Sequence, residues 1–356
     1  MKKIFFIILI STLSVFADEI KITKYIFFTL EGSIDKYPIT INIKAVNPND
    51  IKLGKKIDVS GYYKYSNINI PIPINGEIDK NGIRFYAFGE KEEFNFKMDS
   101  RQLENIINLG NSEKNIDLKG DWKNNNKKLS LSIKTIKPLG DKIYTVYDIH
   151  VCKEYKNNTY GLSAVYIENL KSYIYGSSII KQINNTNEVI KKINDDIDKS
   201  DWKKEEIFNE DQFYSFERNY FNDNILCFGS SIEYYHGGPY PDASISYFTL
   251  DINKLEIKIL TLSDFVYDSG RFRDFLQNDI NEYYKDYDDI APNIIKDEPF
   301  SRYAESLMSN NVSIVNGADD DIKLLIKFDF PHAIRAFDDY SISFDKLKPY
   351  LKKNIY

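Results

Sequence analysis

Alternation of apolar and polar side chains dominates residues 18 to about 138 and constrains the fold of this segment most strongly. In the clearest stretch, Ile39, Ile41 and Ile43 fall on one side and Thr40 and Asn42 on the other. The same period recurs at residues 57–61, 70–75 and 129–133. Because successive side chains of a strand point to opposite faces, a period of two indicates half-buried antiparallel strands. We predict an antiparallel β-barrel-like meander domain of roughly six to eight strands over residues 18–138.

A weak internal repeat accompanies the alternation. Leu30–Lys36 resembles Ile74–Lys80, and a shorter third copy follows at Leu118–Trp122. The evenly spaced glycines of the three copies are Gly32, Gly76 and Gly120. Glycine relieves crowding where a strand bends, as closure of a barrel requires. A small barrel is either filled by its own side chains, which we favour here, or holds a small apolar ligand as a carrier does.

The pattern changes at Pro138-Leu139-Gly140, and residues 139–356 mix strand-like segments with helical periodicity. We predict helices over Asn187–Ile197 and from Ser269 or Gly270 onward, and another that Asp201 caps and that runs on towards Phe216. Strands are expected at residues 224–235, 243–250, 255–260, 322–330 and 340–344, with a short final helix at 344–351. The predicted fold class is therefore α+β, with the barrel followed by a mixed or antiparallel sheet packed by helices.

The first seventeen residues have the layout of a cleaved signal peptide. Two lysines, Lys2 and Lys3, precede an apolar run from Ile4 to Phe16, and Ala17 supplies a small residue at the cleavage site. The run is shorter than the roughly 20 apolar residues that a spanning helix needs. We predict an exported protein, periplasmic or secreted, that is cleaved after Ala17 and has no stable membrane anchor.

Composition excludes several classes of function. A formal net charge of −6 makes the chain a poor general ligand for nucleic acid. With only 3 His and 2 Cys, a multi-cysteine zinc site is excluded, and we expect neither a metal nor another cofactor. The two cysteines, Cys152 and Cys227, both lie in strand-like surroundings, where one disulfide and two free thiols are equally compatible with export.

A tyrosine-rich Gly-Gly turn is the most specific motif of the second half. Its residues are Tyr234, Tyr235, His236, Gly237, Gly238 and Tyr240. A second motif follows before the amphipathic helix, with Leu260, Thr261, Leu262, Asp264 and Phe265. Together they resemble a domain of unknown function, found in the extracellular part of RsiV-like lysozyme-sensing anti-sigma factors and beside some peptidoglycan deacetylases. There, too, a Gly-Gly turn joins two strands and a Leu-Thr-Leu segment leads into a helix.

The resemblance covers roughly residues 145–356 and implies an α+β domain that binds lysozyme, a related muramidase or peptidoglycan fragments. Two departures limit it. The family's Ala-His pair is Pro239-Tyr240 here, and its Tyr-Glu pair is His332-Ala333. No role of the family's histidine therefore carries over, and without a metal-binding deacetylase signature catalytic deacetylation is not implied.

These observations favour an exported cell-envelope binding protein that recognises lysozyme-like proteins or cell-wall fragments. Tyrosines around a turn suit contacts with proteins and sugars, so the six residues of the Gly-Gly turn are the predicted binding site, although an ordinary hairpin end has the same pattern. The sequence singles out no catalytic residue, which favours a non-enzymatic role. The alternative is an enzyme acting on the cell wall or a glycan, which predicts a deep pocket with paired, perturbed carboxylates.

Overall fold

Eight antiparallel strands close into a barrel in the first half of the chain, which confirms the predicted barrel. In this computed structural model the described residues are 19–67, 71–87, 91–110, 112–125, 127–204, 207–216, 219–235, 237, 242–285, 312–316, 321–327 and 339–352. The barrel strands are β1 (Glu19–Ile34), β2 (Tyr37–Val46), β3 (Ile57–Tyr65), β4 (Ile72–Asp79), β5 (Gly82–Ala87), β6 (Glu92–Lys97), β7 (Lys114–Asn124) and β8 (Lys127–Pro138). Each pairs with the next, and β8 returns to β1 between Phe28↔Pro138 and Ile34↔Leu131. Helix α1 (Ser100–Ile107) precedes β7.

The three repeat glycines lie where neighbouring strands approach most closely. A Cβ added at Gly32, Gly76 or Gly120 would come within 2.0 Å of a backbone oxygen on the adjacent strand. A larger residue would therefore push the strands apart. The register between β1 and β8 also shifts between Glu31 and Gly32, so one of these glycines coincides with an irregularity of the closing seam.

Apolar side chains fill the barrel interior, as favoured from the sequence. Buried residues of all eight strands and of α1 form one cluster there. Its one buried carboxylate, Glu92, accepts hydrogen bonds from Tyr63 (2.6 Å), Trp122 (3.2 Å) and Asn124 (3.0 Å). The interior thus gives no support to an apolar ligand carried inside the barrel.

The second half continues the same sheet. Its strands are β9 (Thr145–Tyr155), β10 (Asn158–Ile167), β11 (Ser172–Tyr175), β12 (Ser178–Lys181), β13 (Asn209–Ser215), β14 (Ile225–Tyr235), β15 (Asp242–Asp251) and β16 (Glu256–Lys258). A separate sheet contains β17 (Val312–Asn316), β18 (Ile322–Lys327) and β19 (Asp339–Ser343). The helices are α2 (Thr186–Lys199), α3 (Leu262–Phe265), α4 (Gly270–Tyr284) and α5 (Phe344–Leu347). The protein is thus mostly sheet with a few helices.

Two of these helices pack as their apolar faces require. In α2, Val189, Ile193 and Ile197 lie against the face of β9 and β10 that carries Ile149 and Ala164. Helix α4 begins after the Ser269 cap, where the sequence predicted its start. It buries Phe272 and three further residues in the hydrophobic core outside the barrel, which we call the second core. None of the helices among the described residues has the length and apolar character that a membrane crossing demands.

Strand β1 belongs to both halves of the molecule. Its first part, Glu19–Ile26, pairs with β9, and its last part pairs with β8. The neighbouring residues Phe27 and Phe28, both fully buried, point to opposite faces: Phe28 into the barrel, and Phe27 into the second core, where its ring lies 5.2 Å from that of Phe221. The predicted boundary at residues 138/139 therefore falls between two strands that share one partner.

One predicted helix is wrong. The segment that follows Asp201 forms a single 3-10 turn at Trp202–Lys204 and then strand β13. Strand β13 pairs in parallel with β10 and antiparallel with β14, so hydrogen bonding to two distant segments decides its conformation. Helix α2 begins after an Asn185 cap, two residues before the predicted one, and α5 stops at Leu347, short of the predicted end.

Candidate binding cavity

A cavity of about 550 Å³ opens where β1, β2, β9 and β13 meet. Its polar side is lined by Lys21 and Thr23 of β1, Asp148 and His150 of β9, and Asp211 of β13. This volume falls within the range of roughly 300–1,000 Å³ that is typical of small-molecule sites. The cavity combines charged, polar and aromatic groups in one concave surface.

Strand register brings the polar side chains together. Lys21 lies opposite His150 and Thr23 opposite Asp148, so all four point to the same face of the sheet. The intervening residues, such as Ile149, point to the face that α2 covers. Alternation along β9 thus gives the sheet an apolar face that α2 buries and a polar face that lines the cavity.

The Asp148 carboxyl is strongly affected by its burial in the cavity. Its Oδ1 is shielded from solvent and accepts no hydrogen bond from the described residues. Burial raises the pKa of Asp148 to about 7, and the positive charge of Lys21 opposes part of that rise. The carboxyl can therefore hold or release a proton near neutral pH, and its buried oxygen remains available to a donor.

A histidine–aspartate contact forms the other end of the polar wall. The Ser163 hydroxyl donates to the backbone oxygen of Gln212 at 2.6 Å, so at 2.9 Å from the ring it accepts the proton of His150 Nδ1. His150 Nε2 then lies 3.4 Å from Asp211 Oδ1, and a favourable contact between these two atoms needs a proton on one of them. Burial raises the pKa of Asp211, the charge of His150 lowers it, and Glu233 and Glu19 raise it further.

Gly161 makes this contact sterically possible. A Cβ at this position would lie 2.2 Å from Asp211 Oδ1 and 2.9 Å from Cε1 of His150. Gly161 lies on the cavity side of β10, opposite Cys152 and beside Asp211. Because Gly161 has no side chain, the Asp211 carboxylate can occupy this space.

The far end of the cavity is closed by a lysine and aromatic rings. Lys44 is only 6% exposed, and its Nζ donates to the backbone oxygen of Phe216 at 2.6 Å. The rings of Tyr25 and Phe216 lie 5.2 Å apart beside it. This end is anchored to the second core, whereas the end near Lys21 is exposed.

The Gly-Gly turn predicted as the binding site is only partly described. Tyr234 donates from its hydroxyl to Asp242 Oδ2 at 2.6 Å, Tyr235 ends β14, and Gly237 has a positive φ of 77°. His236, Gly238 and Tyr240 lie outside the described residues, as do His332, Ala333 and the predicted signal peptide. Because Glu233 pairs with Asp211, the hairpin end adjoins the cavity.

The two cysteines are free thiols, which is one of the two alternatives that the sequence left open. Cys227 is buried, with its sulfur 3.5 Å from Thr249 Oγ1, and Cys152 is half-buried two residues from His150. Burial raises the pKa of both thiols to about 11. Neither is therefore a ready nucleophile. Within the described part of the chain, no three His, Cys, Asp or Glu side chains are grouped to hold a metal ion.

Comparisons with known proteins give structural likeness only. No protein-family model matches the chain, and no curated protein does. A crystal structure of a DUF3298 family protein from Pseudomonas aeruginosa PAO1 is similar at 10% identity and a TM-score of 0.32, over 56% of this chain and 87% of that one. Another DUF3298 member, from Bacteroides fragilis NCTC 9343, is similar at 11% identity and a TM-score of 0.31, over 68% and 94%. Both structural neighbours are thus proteins of a domain family of unknown function.

Proposed function

We propose that the chain is an exported cell-envelope protein that binds cell-wall fragments in the cavity between β1, β2, β9 and β13. The observation that carries this proposal is the buried, unpartnered carboxyl oxygen of Asp148 inside a concave site of about 550 Å³. Export rests on the signal-peptide-like first seventeen residues, and the wall as the source of the ligand rests on the resemblance of the second half to wall-associated domains.

The shape of the site favours a fragment over a folded protein. Protein partners are usually bound on broad, flat surfaces, whereas a cavity of this size surrounds a small molecule. Polar groups such as Asp148 and His150 suit the hydroxyl, amide and amine groups of a muropeptide, and the half-exposed ring of Phe213 offers a surface for a sugar. A lysozyme-like protein remains the other partner to test, with the tyrosine hairpin as its contact.

Calorimetric titration of the mature chain with a soluble muramidase digest of peptidoglycan tests this function. We expect saturable binding that Asp148→Asn weakens at least tenfold. Asp121→Asn, at a half-exposed position on the barrel, should leave it unchanged. A c-type lysozyme is titrated in parallel with a lysis assay. If the digest gives no heat while lysozyme binds and loses activity, the cavity proposal is wrong and the hairpin becomes the site.

A wall-acting hydrolase is the second candidate, favoured by one specific observation. Asp148 and Asp211 line the same cavity, and burial raises the pKa of each, as general acid–base chemistry requires. Incubation with intact peptidoglycan and analysis of released products distinguishes the two functions. Turnover that Asp148→Asn abolishes would establish the enzyme, and binding without product release would establish the binding protein.

A further inference from the structure

We propose that the group bound by Asp148 is a protonated primary amine of the ligand. This deepens the proposed function and rests on it, because it names the chemical class that the same cavity recognises. The geometry points to an amine through two oxygens. Asp148 Oδ1 and Asp211 Oδ1 are both shielded from solvent, and neither accepts a hydrogen bond from the described residues, although His150 Nε2 lies 3.4 Å from Asp211 Oδ1.

Buried acceptors of this kind call for a donor from the ligand. A buried polar atom without a hydrogen-bond partner is unfavourable, and more so when it is charged. An ammonium group carries three donors and a positive charge, so it can satisfy a carboxylate oxygen and neutralise it together. A ligand hydroxyl would donate one hydrogen bond and leave the carboxylate charge buried.

The remaining charges of the cavity are compatible with a cation. Lys44 is already engaged by the backbone oxygen of Phe216, and Lys21 lies in the exposed part of β1, where its side chain can turn outward to solvent. Glu19 and Glu233 add negative potential at the His150–Asp211 end. Besides Asp148 itself, the charged and titratable groups lining the cavity are Lys21, Tyr25, Lys44, His150, Asp211 and Tyr214.

Amine binding should be linked to proton release. With a pKa of about 7, Asp148 carries a proton in about half of the free molecules at pH 7. A bound ammonium favours the ionised carboxyl, so we expect release of about half a proton for each ligand bound at pH 7. Since only the ionised fraction binds the cation, affinity should fall about fivefold from pH 7 to pH 6.

The test compares free and blocked amines on the full mature chain. The peptidoglycan digest is titrated before and after chemical N-acetylation of its free amines, and glucosamine is compared with N-acetylglucosamine. Titrations in two buffers of different ionisation enthalpy measure the proton release. Wild type, Asp148→Asn and Asp121→Asn are run together, so that a neutral isostere is compared with a surface control.

The outcomes separate this inference from the proposed function. A tenfold or larger loss on acetylation, together with proton release that Asp148→Asn abolishes, supports the amine. Equal binding of both digests overturns the amine and leaves the wall-binding function standing. Binding of glucosamine but of neither digest supports the amine and overturns the wall function. No binding of any of these probes overturns both.

Discussion

At the scale of single residues, the buried Asp148 carboxyl lowers the stability of the folded chain and, as we propose, binds the ligand. Its carboxyl lies on the cavity face of β9, where burial disfavours the charged form. The protein therefore carries a group that opposes folding at neutral pH. Such groups concentrate at functional sites, because a site optimised for binding retains polar atoms without internal partners.

Replacement of this carboxyl should stabilise the protein above neutral pH. The pKa of Asp148 is about 7 in the folded chain and about 3.9 in an unfolded one, so the folded state binds the proton more tightly. The loss of folding stability caused by ionised Asp148 is absent below about pH 4, grows between about pH 4 and 7, and is constant above pH 7. Asp148→Asn should thus gain about 4 kcal/mol at pH 8 and almost nothing at pH 3.5. Urea unfolding of both proteins across this range is the measurement, and parallel curves would contradict it.

A side chain at Gly161 should separate His150 from Asp211. In Gly161→Ala the new Cβ displaces the Asp211 carboxylate towards solvent, so the raised pKa of Asp211 should move down towards its ordinary range. Carboxyl carbon chemical shifts followed through a pH titration report this change. Gly229→Ala is the matched control, because its Cβ would meet only the Tyr247 ring at an ordinary 3.7 Å. Identical Asp211 titrations in the two variants would refute the steric role of Gly161.

Sequence reasoning did not single out these residues. Asp148 and His150 are two positions apart and so share one face of a strand, but this signal is common to many solvent-facing strands. Nothing in the sequence located Asp211 near them, since that contact depends on the parallel pairing of β10 with β13. Likewise, only the structure shows that Asp148 Oδ1 is buried and accepts no hydrogen bond from the described residues.

At the scale of elements, a single carboxylate joins the barrel to the strands beyond it. Asp223, just before β14, accepts hydrogen bonds from Thr29 of β1 (2.8 Å), Asn42 of β2 (3.3 Å) and the backbone N–H of Gly140 (3.3 Å). Thr29 and Asn42 lie on the outer barrel face and are buried by this contact. Alternation predicted Asn42 on the side opposite the isoleucines, which is correct, but not that this side is covered.

Loss of the Asp223 carboxylate should therefore destabilise more than loss of a surface charge. In Asp223→Ala the buried donors of Thr29 and Asn42 lose a shared acceptor, and we expect a loss of about 1–3 kcal/mol in unfolding free energy. Asp121→Ala removes an exposed ion pair with Lys128 and should cost less than about 1 kcal/mol. Denaturant titrations compare the two. Equal losses would mean that the network does not join the elements energetically.

Element boundaries show where local sequence decides structure. Helix α4 begins as predicted because its own Ser269 caps it, accepting from the Phe272 N–H. Strand β13 was mistaken for a helix because its local signal, a capping aspartate followed by aromatic residues, was overridden by pairing with β10 and β14. The predicted barrel followed from period and glycine spacing alone, since both are local properties repeated along the chain.

At the scale of the whole molecule, β1 connects the two halves, because it pairs with both β8 and β9. The neighbouring residues Phe27 and Phe28 are each fully buried, in different cores. Phe27→Ala and Phe28→Ala should each lower the unfolding free energy by about 3–5 kcal/mol. If the halves are coupled, both variants shift one common calorimetric transition. Two transitions, with each variant shifting only one, would show that the barrel and the second core unfold independently.

The position of β1 also decides when the chain can finish folding. Strand β1 begins at Glu19, whereas its edge opposite β2 is completed only by residues up to Pro138 on β8 and Cys152 on β9. Contacts between segments so distant along the chain form slowly. A nascent or unfolded chain must therefore keep a long, apolar strand edge open until residue 152 has emerged, and open edges invite pairing with other chains. The time spent in that state sets how strongly this protein depends on chaperones while it is being made.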